Sequence, residues 1–414
     1  MNAGADRMFW RFRAYGFLKN LRLFDPFLIL FFRDAGLSYL AIGSLYAIRE
    51  IATNVLEIPT GLVADAFGRR RSMIGSFAAY LASFALFGAL SAYAAYAAAM
   101  VLFALGEALR SGTHKAMILE HLRRRGEEDR RVAYYGRTRA ASQLGSALAA
   151  LIGAGVVFWS GSYRAAFLAS LVPYVLALLL MMTYPKELDG HVERILPSWS
   201  GVFRRLVGAV RASIGTLRDG ALLRGLFSGG VLDAVFRSTK DYLQPILEAQ
   251  AIALPILLAV RGEQRVALVV GALYFVIYLM TSYAASRAGR LEARVASLPR
   301  AIDGLYVVGA GLLVAAGLAS WVGCPSAAIA AFLLLYAVQN VRRPMVVGYV
   351  AERIDHRMMA TGLSVGSQLR TILTATLAPL VGLAADRVGV GAAILALGGG
   401  ALLVYPLIRL RRSR

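Results

Sequence analysis

The chain has 414 residues, of which 58% are hydrophobic and 17% charged, and its mean hydropathy is positive. That balance lies outside the soluble range and excludes a single water-soluble domain; it asks for several membrane spans. A net charge of +21 would point to nucleic acid in a soluble protein, but the basic residues here sit in short segments between apolar runs, so the charge reads as topology and no nucleic-acid partner is expected.

Taken in order, the N-terminus carries Arg7, Arg11 and Arg13 and runs into a full-length apolar segment with no small-residue cleavage site, so no signal peptide is expected. A span needs about 20 apolar residues. Twelve stretches qualify: 14–33, 38–66, 72–93, 97–121, 133–158, 164–184, 222–246, 265–286, 301–321, 327–349, 359–384 and 390–409. Their connections alternate in charge. Basic residues collect at Arg69 to Arg71, Arg123 to Arg139, 186–219, Arg287 to Arg300, Arg353 to Arg357 and in the closing RLRRSR, whereas the opposite connections are short and nearly uncharged. The expectation is an integral inner-membrane protein, monomeric, with both termini cytoplasmic.

The outer exception is the segment from Glu248 to Gln264, read either as a surface helix or as an extension of the seventh span. Inside, 186–219 separates two groups of six, giving an N-terminal bundle at 1–185 and a C-terminal bundle at 220–414. Within that linker Val202, Phe203, Leu206, Val207, Val210, Ile214 and Leu217 fall near one helical face, as for an amphipathic helix on the anionic inner leaflet or a surface helix packed on the bundle. Cys324 is the only cysteine, and His114, His121, His191 and His356 show no ligand spacing, so neither a disulfide nor a metal or other cofactor is expected.

The stretch from Glu57 to Met73 joins two apolar runs through Gly61, Asp65, Gly68, Arg69, Arg70 and Arg71. Gly61 leaves room for a neighbouring helix, Gly68 can take positive φ in the turn, and the arginines hold this end in the cytoplasm. Asp65 needs a partner, either those arginines or the positive end of a nearby helix. The spacing G-x-x-x-D-x-x-G-R-R-R resembles the signature between the second and third helices of major facilitator superfamily transporters. It departs from it at Ala66, where the family usually has a basic residue. The resemblance implies an all-α membrane fold of twelve helices in two pseudo-symmetric six-helix bundles, with this motif clamping cytoplasmic helix ends in one of two alternating conformations.

An internal repeat agrees. Phe17 to Leu28 lies over Phe236 to Leu247, pairing Pro26 with Pro245; Gly61 to Arg69 lies over Ser282 to Arg290, with Ser286 where Asp65 would be. Arg110 pairs with Arg342, Glu120 with Glu352, and the Ser-Gln-Leu at Ser142 with that at Ser367. The matches are ordered and nearly constant in offset, as in a duplicated six-helix unit.

An ionisable side chain at the bilayer centre costs at least roughly 2.5–3.5 kcal/mol, so each asks for a cavity or a partner. The first span carries Lys19, Asn20, Arg22 and Asp25; the second, Arg49, Glu50 and Glu57; the fourth, Glu107, Arg110, His114 and Lys115. On the seventh, Asp233, Arg237 and Asp241 are four residues apart and able to neutralise one another along one face, with Lys240 and Gln244 beside them; the tenth carries Gln339, Asn340, Arg342 and Arg343. The resemblance implies that the first, fourth, seventh and tenth helices line a central cavity. Substrate or proton pathway candidates are therefore Asn20, Arg22, Asp25, Glu50, Glu107, Arg110, His114, Asp233, Arg237, Lys240, Asp241, Gln244, Gln339, Asn340 and Arg342, against the reading that they are structural pairs.

On the fifth span Gly145, Ala149, Ala150, Gly153 and Ala154 occupy the frame of a family pattern found in exporters, without its Gly-Pro pair. The expectation is a secondary transporter of a small polar or charged organic solute working by alternating access, coupled to protons, with a mild preference for efflux. The alternatives are a transporter-fold sensor, and an uncoupled facilitator or uptake symporter. No nucleophile, metal or acid-pair motif supports an enzyme.

Overall fold

A computed structural model describes residues 7–190, 220–253, 261–295, 297–353 and 359–410. Among these residues every long element is a helix. In chain order they are α1 (Arg7–Lys19), α2 (Leu28–Asp34), α3 (Tyr39–Phe67), α4 (Arg69–Ala89), α5 (Tyr93–Arg110), α6 (Thr113–Arg124), α7 (Arg131–Ser160), α8 (Tyr163–Met182), α9 (Gly220–Thr239), α10 (Leu243–Ala253), α11 (Gly262–Arg294), α12 (Leu298–Trp321), α13 (Pro325–Ala351), α14 (Met359–Val388) and α15 (Val390–Ile408). The expected amphipathic linker helix lies outside the described residues. The seventh span extends through α10 to Ala253, which favours the second reading of the outer segment as far as that residue.

These helices make twelve rods, because three rods are broken: α1 with α2, α5 with α6, and α9 with α10. Eight rods are long and apolar enough by length and composition to cross a membrane. The four that fall short of that measure are the first, second, seventh and tenth, and each is either interrupted or charged.

Each break is satisfied locally, as it must be where water is absent. Residues 20–24 leave the helix before a 3₁₀ turn at Asp25–Phe27 that Pro26 helps to start. The freed Leu23 amide donates to Ser170 Oγ at 3.0 Å, and Tyr174 Oη donates to the freed Lys19 carbonyl at 2.8 Å. In the seventh rod the 3₁₀ turn Lys240–Tyr242 is held the same way, with Tyr336 Oη donating to the Lys240 carbonyl at 3.4 Å. In the fourth rod Gly112, at φ +73°, turns the chain between α5 and α6.

The helices form two compact units, one from the described residues within 1–31, 52–202 and 258–279, the other from those within 32–51, 203–257 and 280–414. Neither is a continuous half of the chain. The start of α3 packs with the C-terminal helices, and the start of α11 with the N-terminal ones; the repeat pairs these two helices. In the second unit the Asp386 carboxylate on α14 accepts from the Tyr39 and Leu40 amides at 2.9 and 2.8 Å, satisfying the first donors of α3. Gly43 lies directly against the Ala378 carbonyl, leaving no room for a Cβ. In the first unit Gln264 Nε2 donates to the Phe158 carbonyl at 3.0 Å, and Gly271 abuts Ala154. The small residues of the fifth rod behave as expected: Gly153 lies against the Leu23 carbonyl at the first break.

Removing the cap by Asp386→Ala is expected to cost about 1 kcal/mol. Gly43→Val, which drives a side chain into backbone, is expected to cost more. Thermal unfolding in detergent should show both losses in that order.

Candidate functional site

In the first unit the break between α1 and α2 turns Arg22 toward α5. Its guanidinium ion-pairs with Glu107, and its Nε donates to Tyr174 Oη at 2.8 Å. Arg110, one helical turn beyond Glu107, holds the other carboxylate oxygen and donates to Tyr80 Oη at 3.3 Å. Arg22 also lies 4.8 Å from the Phe103 ring centre, a cation–π contact. Glu107 is thus clamped between two guanidiniums, and all three side chains keep about a fifth of their surface exposed. The Lys19 ammonium makes no hydrogen bond or ion pair among the described residues. Glu107 thus stands among Arg22, Arg110 and the nearby Lys19.

Asn20 donates to the Gly16 carbonyl at 2.7 Å, and Asp25 opens the 3₁₀ turn. His114 stands apart from the charges: its ring stacks on Tyr15 at 3.7 Å, meets the edge of Phe12 at 5.4 Å and lies 3.5 Å from Tyr184 Oη. Glu57 accepts from Ser111 Oγ at 2.8 Å.

In the second unit Asp233 is the hub. Its carboxylate accepts from Arg237 Nε at 3.3 Å and from Gln339 Nε2 at 3.0 Å, and pairs with Arg370 Nε at 3.4 Å. Glu50 adds to the group through Arg49 at 3.3 Å and Arg237 at 3.9 Å. The acid–base–acid row expected on the seventh span needs correction. Asp233 and Arg237 pair as the spacing implies, but α9 ends at Thr239, so Asp241 lies in the following turn and pairs with Lys240 instead. Gln244 is fully buried, and Asn340 donates to the Tyr336 carbonyl at 2.9 Å. Arg342 is a buried staple: Nη2 donates to the Ser228 carbonyl and hydroxyl at 2.9 and 2.7 Å, and Nε to the Ile302 carbonyl at 3.2 Å.

Sequence reasoning missed Arg370, Tyr80 and Tyr174. The tyrosines carry no charge to mark them, and Arg370 lies in a stretch with no acidic neighbour; the Ser-Gln-Leu match just before it was the only available pointer.

The turn motif also departs from expectation. Gly68 does adopt φ +94°. Asp65, however, is exposed and has no hydrogen bond or ion pair among the described residues, and no described atom lies within 4 Å of a Cβ built on Gly61. The N-terminus of α4 is capped instead by Asp189, whose carboxylate accepts from the Arg70 amide at 2.7 Å. Arg70 Nη2 in turn donates to the Met182 carbonyl at the end of α8 at 2.6 Å, and Arg69 reaches the Ala116 carbonyl at 3.5 Å; Arg71 is exposed. The motif binds helix ends together, but through Asp189 rather than Asp65.

Broken rods, charge clusters at their breaks and a duplicated helical plan define a polytopic membrane protein of the secondary-transporter class. The chain belongs to the Major Facilitator Superfamily, whose family profile matches residues 20–375. A curated relative, the uncharacterized MFS-type transporter YxaM of Bacillus subtilis (strain 168), is 31% identical over 104 residues, 25% of this chain and 26% of that protein. The chain thus matches about a quarter of that relative's length. Among solved structures, the nucleoside transporter NupG superposes with a TM-score of 0.73 at 12% identity over 97% of this chain and 98% of that one. A POT family transporter in complex with 5-aminolevulinic acid gives 0.71 at 13% identity over 97% and 93%. These likenesses establish the fold.

Two stability contrasts follow from the geometry. Glu107→Ala leaves two guanidiniums without their carboxylate and is expected to cost about 3 kcal/mol, whereas Glu352→Ala, which removes an exposed carboxylate paired with Arg353, should cost under about 1 kcal/mol. Asp189→Ala should lower the thermal midpoint through the lost cap, and Asp65→Asn should leave it unchanged; a drop for Asp65→Asn equal to that for Asp189→Ala would contradict the assignment.

Proposed function

We propose that the protein carries a small polar or charged organic solute across the membrane by alternating access, with two six-helix bundles, 1–185 and 220–414, rocking about a midplane site and joined by 186–219. The observation that supports this most is that charge clusters coincide with helix breaks in the first, fourth and seventh rods. Secondary transporters build their binding sites from interrupted helices that bring ionisable groups and freed backbone to the bilayer midplane, and these breaks fit that pattern. The solutes named for the structural neighbours, a nucleoside and 5-aminolevulinic acid, are polar organic molecules and agree with this cargo.

Protons are the proposed coupling ion. Glu107 and Asp233 each neutralise cations, so protonating either releases guanidiniums that a solute can then occupy. The small-residue frame of the fifth rod favours efflux. The Glu107 clamp favours a second reading, uptake by symport, because a proton on the carboxylate and an acidic solute on the arginines would load together. The charge alternation of the connections supports an inner-membrane protein with both termini cytoplasmic and its basic segments against the anionic leaflet; the working unit in this reading is a monomer. Asp65 belongs to the same cycle: unpartnered here, it is available to close on a helix end in the other conformation.

The test is internal pH in proteoliposomes holding the purified protein and a pH dye, challenged with pools of anionic, cationic and zwitterionic solutes. One pool is expected to change internal pH, and Glu107→Gln or Asp233→Asn to reduce the change at least about tenfold. Acidification as solute enters means symport; alkalinisation means antiport. Labelled solute crossing without a pH change would overturn proton coupling, and binding without crossing would overturn transport in favour of a sensor.

A further inference from the structure

Within the second unit α9, α13 and α14 line an open-sided cavity of about 150 Å³. Its polar wall is made by Asp233, Gln339, Arg342, Arg343 and Arg370, three guanidiniums against one carboxylate. Its apolar wall includes Leu226, Val346 and Val350.

Most of this polar wall is already engaged. Asp233 is shared by Arg237, Arg370 and Gln339, and Arg342 is committed to Ser228 and Ile302. Two groups remain. The exposed Arg343 side chain makes no hydrogen bond or ion pair among the described residues, and Gln339, only 4% exposed, has its Oε1 buried with no donor among them. A buried acceptor lacking a partner forfeits about 1–3 kcal/mol, so its persistence points to a ligand that supplies the missing hydrogen.

We propose that this cavity binds the acidic end of the transported solute, and that the cargo is a small organic anion carrying a hydroxyl or amino donor. A guanidinium with free N–H groups beside an excess of positive charge selects a carboxylate or phosphate. The unpaired Gln339 Oε1 selects a donor on the same molecule, and the apolar wall takes a short carbon skeleton. A cavity of about 150 Å³ is known to hold a benzene-sized molecule, so the enclosed part has about six non-hydrogen atoms. Naming the ligand as cargo rests on the transporter reading; the anion site itself does not.

The experiment compares thermal midpoints of the purified full-length protein with lactate, which has both the acid and the donor, propionate, which lacks the donor, neutral 1,2-propanediol and cationic choline. Lactate at about 100 times its dissociation constant should raise the midpoint by about 3 °C or more, propionate less, and the other two not at all. Arg343→Gln should abolish the lactate shift with little change in the unliganded midpoint, since it breaks no side-chain hydrogen bond or ion pair among the described residues; Arg343→Lys should retain part of the shift, and Arg387→Gln, outside the cavity, all of it. A lactate shift unaltered by Arg343→Gln, or a shift with choline alone, overturns the proposal.

Two further arms separate the sources and the readings. Nanodiscs of phosphatidylglycerol against phosphatidylcholine report whether a lipid headgroup fills the site: stabilisation by the anionic lipid with none by lactate overturns the cargo assignment. Flux of the same panel in proteoliposomes distinguishes the failures. Cation flux without lactate binding removes the anion inference and leaves a transporter, whereas Arg343-dependent lactate binding with no flux of any solute removes the transporter reading and leaves the site.

Discussion

Every polar group that a membrane helix carries or frees must find its partner inside the protein, and the architecture of this chain depends on that constraint. Helix breaks in the first and seventh rods leave carbonyls exposed, and in both a tyrosine hydroxyl answers, Tyr174 at Lys19 and Tyr336 at Lys240. Ser170 supplies the corresponding acceptor for the Leu23 amide. Once the backbone is satisfied, the break becomes useful: it swings Arg22 off the helical line and into reach of Glu107. The same logic governs Arg342, which is tolerated at full burial because backbone carbonyls and a serine take up its donors.

Within each unit, contacts at helix ends hold the helices together alongside apolar packing. Asp386 receives the first amides of α3, Asp189 the second amide of α4, and Arg70 the last turn of α8. Charge placed against helix termini complements their dipoles, and each contact is a discrete geometry that is either made or broken. Where backbones approach closely, as at Gly43 and Gly153, the absence of a side chain allows it. Such a frame holds rigid rods together while leaving the polar clusters between them partly open.

The expected motif and the observed clamp illustrate how a sequence pattern can be right about place and wrong about partner. The run from Gly61 to Arg71 does form the junction of two long helices, with Gly68 in the left-handed region. Its acid, Asp65, faces outward, and the carboxylate that caps α4 comes from Asp189, far along the chain. Nothing local distinguishes these two aspartates. On the seventh rod, likewise, spacing anticipated the Asp233–Arg237 pair but could not show that the helix stops at Thr239 and sends Asp241 to Lys240.

The sequence by itself determined the membrane class, the twelve-rod plan, the family and which rods carry charge, because hydropathy, loop charge and local spacing are properties of contiguous residues. Only the tertiary structure decided which charges meet. The Glu107 clamp joins residues from two rods, the Asp233 hub takes members from α9, α13 and α14, and the Gln339 acceptor is conspicuous only once its burial is known. Pairing energies in a low-dielectric interior fall steeply with distance and depend on what else is within reach, so partner choice is set by packing across the bundle and not by position along the chain.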